Sequence, residues 1–408
     1  MKNILFVSIA FPPKSDAEGL QVAKYLKYLL RESKEKFNID AVTSRQPTLN
    51  MTYDASLESS SKGVRDIIEI PIYENRYVNW LLSKIAPSVV NSPDSKFSFH
   101  LQANTVIRQL SNKPDLIYSR SFPTSSAVMA YKLKRHYDVP WVMHLSDIWA
   151  DEPERLYSGR LMSYQQKIEG ICFKVADVVC VTSEMALAFY EKKYGKTNAR
   201  IEYYPNVFDM EDCLPTKIKQ APVDHGKLRI VYTGSLAGDH SPEPFLNAVR
   251  SLPLDRQNDL EIVFVGDIDS LNKAIFDRCK SDCVTHMGNV DFHTSLEFQR
   301  SADVLLLLDL PVDSPEMRMC FQSKTLDYII AKHPILAIVE HDSQTQRVIE
   351  KHGLGTCIER NDFKGLRDHL LWLLANRNDR YFNARNLVME FDSALNAKRL
   401  VKLFDEHL

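Results

Sequence analysis

The chain has 408 residues, of which 44% are hydrophobic, 25% charged and 10% aromatic. This balance is typical of a globular protein and excludes a disordered chain, a collagen and a small disulfide-stapled scaffold. Fifty-one Lys and Arg residues stand against 53 Asp and Glu residues, and the net charge of −2 supplies no overall field with which to hold a nucleic acid. The length predicts two domains, each large enough to bury its own core.

The cysteines and the N-terminus indicate a cytoplasmic protein. Seven cysteines are scattered without a CxxC pair, as in reduced proteins, and no zinc set of usual spacing surrounds Cys279 and Cys283, so we expect no metal ion. The first apolar run, residues 4–11, is followed by Pro12-Pro13 and by no small-residue cleavage site, which favours a buried strand over a signal peptide. No stretch approaches the ~20 apolar residues that span a bilayer.

Peripheral contact with the inner face of the cell membrane is one interpretation of two features. Residues 1–208 carry 27 basic and 22 acidic side chains, and the basic ones include Lys24, Lys27 and Arg31 on the first predicted helix and Lys34 just after it; apolar residues follow at Trp80, Leu81 and Leu82. A solvated helix face and an ordinary core segment explain these features equally well.

Short apolar runs alternate with longer segments of helical period, which is the pattern of parallel sheets covered by helices on both faces. In the first half, the runs predict strands at residues 4–11, 37–43, 66–72, 116–120, 141–145, 178–182 and 201–205. Helices are predicted between them at residues 19–32, 97–110, 125–135, 163–175 and 184–194.

Residues 209–227 are polar, interrupted by two prolines and without period, and they predict a linker. A second alternation then predicts strands at 228–233, 260–265, 284–287, 304–308, 335–339 and 356–359, and helices at 242–252, 271–279, 323–331 and 363–375. Two helical stretches, 379–391 and 393–404, end the chain. The sequence therefore predicts an α/β protein with two doubly wound Rossmann-like domains, residues 1–208 and 228–376, facing across a cleft. We expect the helices of residues 377–408 to cross back to the first domain.

Open α/β sheets bind ligands at the carboxyl ends of their strands, so the loops that follow strands contain the candidate site residues. After the first strand, a turn leads into a helix at Gly19 and offers backbone N–H groups and a positive helix end to an anion. A plain strand-to-helix connection explains these residues equally well. Neither G-x-G-x-x-G nor a Walker sequence is present, which disfavours nicotinamide cofactors and P-loop chemistry.

Two loops of the second half predict a site for a diphosphate and its sugar. Gly234, Ser235 and His240 follow the strand at 228–233, and glycine permits the close backbone approach that a diphosphate needs. Ser323, Lys324 and Asp327 fall in the first turns of a helix, where a charged cluster could grip a nucleotide sugar. An N-cap and an ion pair within the helix are the structural alternative.

A further cluster follows the strand at 141–145. His144 could hold a sugar hydroxyl, and Asp147 could take or orient the proton of an acceptor. A lone histidine at such a position is more often a core residue whose hydrogen bonds are satisfied.

Taken together, these segments resemble the retaining glycosyltransferases of family 4, which have the two-domain GT-B architecture. The resemblance rests on the order and spacing of Phe11-Pro12-Pro13 with a later glycine, and of residues 114–118, 176–184, 204–209, 232–236 and 323–328. It implies an acceptor-side first domain, a donor-side second domain and a nucleotide sugar as substrate, with no cofactor and no metal. It also implies a glycan or lipid-linked acceptor, as in polysaccharide and surface-glycan assembly.

The resemblance assigns roles residue by residue. Asp327 matches the second glutamate of the family's Glu-x7-Glu motif, which binds ribose hydroxyls, while the first glutamate falls on Met319. The arginine and lysine that usually grip the diphosphate fall on Ser235 and His240. Glu316, Arg318, Lys324 or a protonated His240 would substitute for the missing motif residues. Two alternatives stay open: a non-hydrolysing sugar-nucleotide epimerase, which needs no acceptor, and a pseudoenzyme or partner subunit that binds the nucleotide without turnover.

Overall fold

A computed structural model describes residues 1–49, 51–74, 77, 80, 93–151, 159–213, 226–238, 240–279, 281–311, 316–377 and 388–408. The chain divides into two compact units, one of residues Met1–Val207 with Glu390–Leu408 and one of residues Phe208–Met389. Most of the predicted linker, most of the predicted helix at 379–391 and residues 81 and 82 lie outside the described residues. Within the described ranges, no helix is long and apolar enough to cross a membrane.

The first unit is built on a seven-stranded parallel sheet. Its strands are β1 (Lys2–Val7), β2 (Phe37–Ser44), β3 (Asp66–Ile70), β4 (Leu116–Ser121), β5 (Trp141–Leu145), β6 (Val178–Val181) and β7 (Arg200–Tyr203), in the order β3-β2-β1-β4-β5-β6-β7. The strands run outward in both directions from β1 and β4. The carboxyl ends of these two strands therefore form the topological switch point, where ligands of such sheets bind.

Helices pack on this sheet: α1 (Ala17–Ser33), α2 (Ser98–Leu101), α3 (Ala103–Gln109), α4 (Ser125–Tyr137), α5 (Gly159–Val175) and α6 (Glu184–Tyr194). The C-terminal helix (Ser393–His407) belongs to the same unit and packs against α1. Its Leu400 and Phe404 are fully buried, and the Phe404 ring lies 5.4 Å from that of Tyr118 and 6.2 Å from that of Phe37. The last residues of the chain thus complete the core of the first unit.

The second unit has a six-stranded parallel sheet with strands β8 (Leu228–Thr233), β9 (Leu260–Val265), β10 (Val284–His286), β11 (Val304–Leu308), β12 (Ile335–Val339) and β13 (Gly355–Glu359). Their order is β10-β9-β8-β11-β12-β13, so its switch point lies between β8 and β11. Its helices are α7 (Glu243–Arg250), α8 (Leu254–Asn258), α9 (Ser270–Arg278), α10 (Phe292–Arg300), α11 (Lys324–Ala331), α12 (Gln344–Lys351) and α13 (Phe363–Ala375).

The predicted fold class of two doubly wound parallel-sheet domains is confirmed. Each predicted strand is present, because strands of a parallel sheet are buried on both faces and read as apolar runs. The predicted strand at 4–11 is shorter, since beyond Ser8 the N–H of Ile9 turns to the Ser126 hydroxyl (3.0 Å). The predicted helix at 97–110 is two helices, which meet at Gln102; its side-chain amide donates to the carbonyl of Pro71 (2.6 Å). Helices α8, α10 and α12 were not predicted.

Candidate functional site

The switch point of the second sheet brings Gly234 and Lys324 together. Gly234 follows β8 with φ at +127°, a backbone conformation that other residues rarely adopt, and the place of a Cβ on it would lie 2.6 Å from Nζ of Lys324. Lys324 donates to the hydroxyl of Tyr232 (2.8 Å) and lies 4.3 Å from the centre of its ring. Burial lowers the pKa of Lys324. The site thus presents a half-buried cation next to the half-buried backbone of Gly234.

His240 lies on the same loop and is half-buried. Its Nδ1 is buried with no partner among the described residues. Burial, with Lys324 and Arg360 nearby, lowers the pKa of His240 to about 4. Without a bound ligand the histidine is therefore neutral at physiological pH, which disfavours the expectation that a protonated His240 substitutes for the lysine of the family motif. Contact of His240 with a diphosphate stays a prediction.

The other predicted residues of this unit lie around the same loop and helix. Ser235 is exposed, and its carbonyl accepts from the Tyr232 hydroxyl (3.1 Å). Ser323 precedes α11 but already has helical angles (φ −59°, ψ −27°) and makes no side-chain cap, so the N-cap of the structural alternative is absent. Asp327 is half-buried in the first turn of α11.

Three polar residues that the sequence analysis did not single out hold the end of β11. Asp309 is buried directly after this strand, and burial raises the pKa of its carboxyl group. The Gln322 amide donates to that carboxylate (3.0 Å) and to the carbonyl of Leu308 (2.7 Å), while the Arg360 guanidinium donates to the Asp309 carbonyl. The sequence signal that points to this group is Asp309, the acidic residue directly after the apolar run 304–308.

In the first unit, Gly19 serves the turn before α1. Its N–H donates to the capping carboxylate of Asp16 (2.8 Å), and a Cβ at Gly19 would meet the carbonyl oxygen of Lys14 at 2.3 Å. The glycine is buried. Its described contacts therefore explain why the turn needs glycine, and its predicted contact with an acceptor or a phosphate stays a prediction.

His144 lies in the core of the first unit. It is fully buried, its Nδ1 accepts from the Tyr118 hydroxyl (2.8 Å), and its Nε2 donates to the carbonyl of Tyr204 (3.1 Å). Burial, with Arg120 nearby, holds its pKa well below the usual range. Because both ring nitrogens are already bonded within the protein, the structure favours the core-histidine alternative over contact with a sugar hydroxyl.

Asp147 is exposed, although its neighbours Ser146 and Ile148 are buried. Ser146 donates to one carboxylate oxygen of Glu18 (2.5 Å), and the buried Arg120 donates to the other (2.8 Å). Burial raises the pKa of Glu18 to about 7, although Arg120 opposes the shift. The start of α1, the end of β4 and the loop after β5 thus meet in one charged cluster near the exposed Asp147 carboxylate.

A second hydrogen-bond network fixes the loop that carries Asp147. The buried Glu169 of α5 accepts from the Ala150 N–H (3.1 Å) and from the hydroxyl of Tyr190 (3.0 Å), and Tyr190 in turn accepts from the Trp149 N–H (2.9 Å). Lys193 donates to the other Glu169 oxygen. The backbone next to Asp147 is thus fixed by helices α5 and α6.

Comparison with known proteins identifies the class of fold. Residues 76–207 match the family described as Glycosyl transferase 4-like domain. The two parallel-sheet units together match solved structures of GT-B glycosyltransferases over the full length of the chain. No curated protein sequence matches the chain.

The similar structures include three named proteins. Sucrose-phosphate synthase of Thermosynechococcus elongatus has 14% identity and a TM-score of 0.68, covering 100% of this chain and 99% of that one. HepE of Anabaena, in complex with UDP and glucose, has 12% identity and a TM-score of 0.66, with 100% of both chains covered. A putative UDP-N-acetylglucosamine 2-epimerase of Listeria monocytogenes has 14% identity and a TM-score of 0.60, covering 100% and 97%. At these identities the similarity establishes the GT-B fold.

Proposed function

We propose that the protein is a retaining glycosyltransferase that transfers a sugar from a nucleotide-sugar donor to a glycan or lipid-linked acceptor. The observation that carries the proposal is the position of Lys324, whose ammonium group lies beside Gly234 at the switch point of the second sheet. Support also comes from the match of residues 76–207 to a glycosyltransferase 4-like domain and from the UDP and glucose bound by the similar HepE structure.

Transfer of a sugar from a nucleotide sugar requires stabilisation of the negative charge on the leaving diphosphate. Negative charge grows on the phosphate oxygen as the glycosyl bond breaks, and the half-buried ammonium group of Lys324 with the backbone at Gly234 would stabilise that charge without a metal or a cofactor. In a retaining reaction the leaving oxygen helps to take the acceptor's proton on the face that the sugar leaves. The half-buried carboxylate of Asp327 would accept hydrogen bonds from the ribose hydroxyls.

The first unit would bind the acceptor. The exposed Asp147 carboxylate follows β5 beside the Glu18, Arg120 and Ser146 cluster, and the Glu169 network holds its backbone in place. A carboxylate in such a loop can orient an acceptor hydroxyl. The place of action is proposed as the cytoplasm, with peripheral contact at the inner membrane face; failure of the pure protein to bind anionic vesicles at low salt would contradict that contact.

The first test is a thermal-shift screen of UDP, GDP and their sugars. A ligand at 100 times its dissociation constant adds ~2.7 kcal/mol to the free energy of unfolding. A donor found in this way is then incubated with and without a lipid-linked glycan acceptor, with EDTA in a parallel reaction, and the anomeric configuration of the product is determined. Acceptor-dependent transfer with retention is expected.

Other outcomes favour the alternatives. Binding without any turnover would indicate a pseudoenzyme or partner subunit, and release of an altered nucleotide sugar without acceptor would indicate an epimerase. A protein that binds no nucleotide would refute the proposal.

A further inference from the structure

The donor loop, residues 234–238, continues the course of β8 alongside the segment that follows β9. Leu236 is the centre of this pairing. Its N–H donates to the carbonyl of Asp267 (2.8 Å), and its carbonyl accepts from the N–H of Asp269 (3.0 Å). One side of the donor loop is therefore hydrogen-bonded to the segment after β9.

The peptide groups of the donor loop point two N–H groups to its other side, because the carbonyl and the N–H of a trans peptide point in opposite directions. The carbonyl of Gly234 faces Gly266, where a Cβ would meet its oxygen at 2.2 Å, so the N–H of Ser235 points away from the segment after β9. The carbonyl of Leu236 faces the same segment, so the N–H of Ala237 also points away from it. Neither of these two N–H groups has a hydrogen-bond partner among the described residues.

Lys324 lies on this second side of the donor loop. The carbonyl of Ser235 accepts from the hydroxyl of Tyr232 (3.1 Å), and that hydroxyl accepts from Nζ of Lys324 (2.8 Å). Phosphate oxygens accept hydrogen bonds from backbone N–H groups and from lysine. The orientation of the donor loop therefore decides whether two backbone donors can bind the same diphosphate as the ammonium group.

Gly238, at the end of the donor loop, is held by two side chains at the start of α9. Asp269, the N-cap of α9, accepts from the N–H of Gly238 at Oδ2 (2.7 Å) and from the N–H of Asn272 at Oδ1 (2.8 Å). Nδ2 of the buried Asn272 donates to the carbonyl of Gly238 (3.1 Å). The N–H groups of Asn272 and Gly238 hold the pKa of Asp269 below its ordinary value, so the carboxylate is charged at neutral pH.

We propose that Asp269 is a positioning residue of the donor site. One of its carboxylate oxygens caps α9, and the other holds the donor loop in the orientation that presents the N–H groups of Ser235 and Ala237 to the diphosphate. Donors that are already oriented reduce the ordering cost of binding, which is how a residue without contact to the substrate raises the affinity. The inference rests on the proposed function.

The test is a substitution that keeps the cap and removes the contact with the loop. Asp269→Ser retains a good N-cap residue, as Ser343 is for α12, but has no second oxygen for the N–H of Gly238. The matched control is Asp291→Ser at the N-cap of α10. There both carboxylate oxygens bond to Thr294, at 2.9 Å to its N–H and 2.6 Å to its hydroxyl. Thermal melts of both variants establish that they are folded.

The affinities for UDP-glucose and for uridine are measured by calorimetry. Asp269→Ser should weaken UDP-glucose binding by about five- to tenfold, which corresponds to the loss of roughly one hydrogen bond to a charged group. Uridine has no phosphate, so its affinity should change less than about twofold. Asp291→Ser should leave both affinities unchanged. Asp269→Asn keeps one acceptor oxygen and should weaken UDP-glucose binding less than Asp269→Ser does.

Two results would overturn the inference: UDP-glucose binding by Asp269→Ser that is as tight as in the wild type, and an equal loss of affinity for uridine. A role confined to the cap of α9 leaves the ratio of the two affinities unchanged. If Asp269→Ser does not fold, Asp269→Asn is compared with Asp291→Asn by the same ratio. Each of these results leaves nucleotide binding by the wild type, and hence the proposed function, intact. A wild-type protein that binds no nucleotide sugar of the screen would instead refute both.

Discussion

Replacing Lys324 by methionine is the sharpest perturbation of the donor site. The substitution removes the ammonium group and keeps an unbranched side chain of similar length. In the structure that ammonium lies 2.8 Å from the Tyr232 hydroxyl, 4.3 Å from the centre of its ring, and 2.6 Å from where a Cβ on Gly234 would lie. No carboxylate contributes a hydrogen bond of comparable length in the described contacts of this group, so its charge is available to a diphosphate.

The expected loss of affinity follows from the loss of one charge-assisted hydrogen bond. Such bonds contribute about 1.5–3 kcal/mol, which corresponds to roughly a 10- to 150-fold weaker dissociation constant for UDP-glucose. The stability of the free protein should change little. The lost cation–π contact, about 1 kcal/mol, is offset by relief of the desolvation that lowers the pKa of Lys324.

Calorimetry with UDP-glucose and with uridine separates charge recognition from general disruption. Uridine has no phosphate, so its affinity should be the same for Lys324→Met and the wild type. The matched control is Lys364→Met, which removes an exposed lysine from α13 and should leave both affinities unchanged. Unaltered UDP-glucose binding by Lys324→Met, or an equal loss for uridine, would refute the assignment of Lys324 to the diphosphate.

Four further outcomes are expected. Asp327→Ala should weaken donor binding roughly ten- to hundredfold if it accepts the ribose hydroxyls, and an unchanged affinity would place the donor elsewhere. Asp147→Asn should lower kcat at least about tenfold and leave donor affinity and Tm unchanged, because an exposed carboxylate contributes little to stability. His144→Ala should instead lower the free energy of unfolding by about 2–4 kcal/mol with donor affinity unaffected, since it leaves a cavity and an unpaired Tyr118 hydroxyl. Glu18→Gln removes an acid whose pKa burial raises from 4.5 to about 7. Relative to this variant, the wild type should gain stability as the pH falls from about 7 toward 4.5 and lose it as the pH rises through about 7. Melting temperatures of the wild type and the variant that change in parallel with pH would contradict this.

The sheets were predictable because their signal is local. The runs at Val304–Leu308 and Ile335–Val339 are apolar on both faces, Trp141–Leu145 is apolar except for His144, and the predicted bounds of all three are those of the structure. Helices α10 and α12 are short and contain few apolar residues, so the sequence shows no clear helical period of apolar residues there. Their caps were present in the sequence, since Asp291 accepts from the N–H of Thr294 and Ser343 from that of Gln346.

The site was harder to predict, because side chains near a strand's end divide between core and solvent in ways that depend on distant partners. His144 and Asp147 are three residues apart, yet one is buried by Tyr118 and the backbone of Tyr204 and the other is exposed. The pairing of Glu18 with Arg120 joins residues 102 positions apart. Neither the spacing of residues nor the composition of the chain indicates which distant side chains will pair.

The C-terminal helix has a consequence for the way the protein is made. The ribosome synthesises all strands of the first sheet well before it reaches Ser393. During synthesis Phe37 and Tyr118 therefore lack the contact with the ring of Phe404 that they make in the folded protein. The first unit cannot close its core co-translationally, and a message truncated after residue 207 encodes an open apolar surface rather than a domain. A stand-alone version of this unit therefore requires the helix Ser393–His407 to be supplied, by fusion or as a separate peptide.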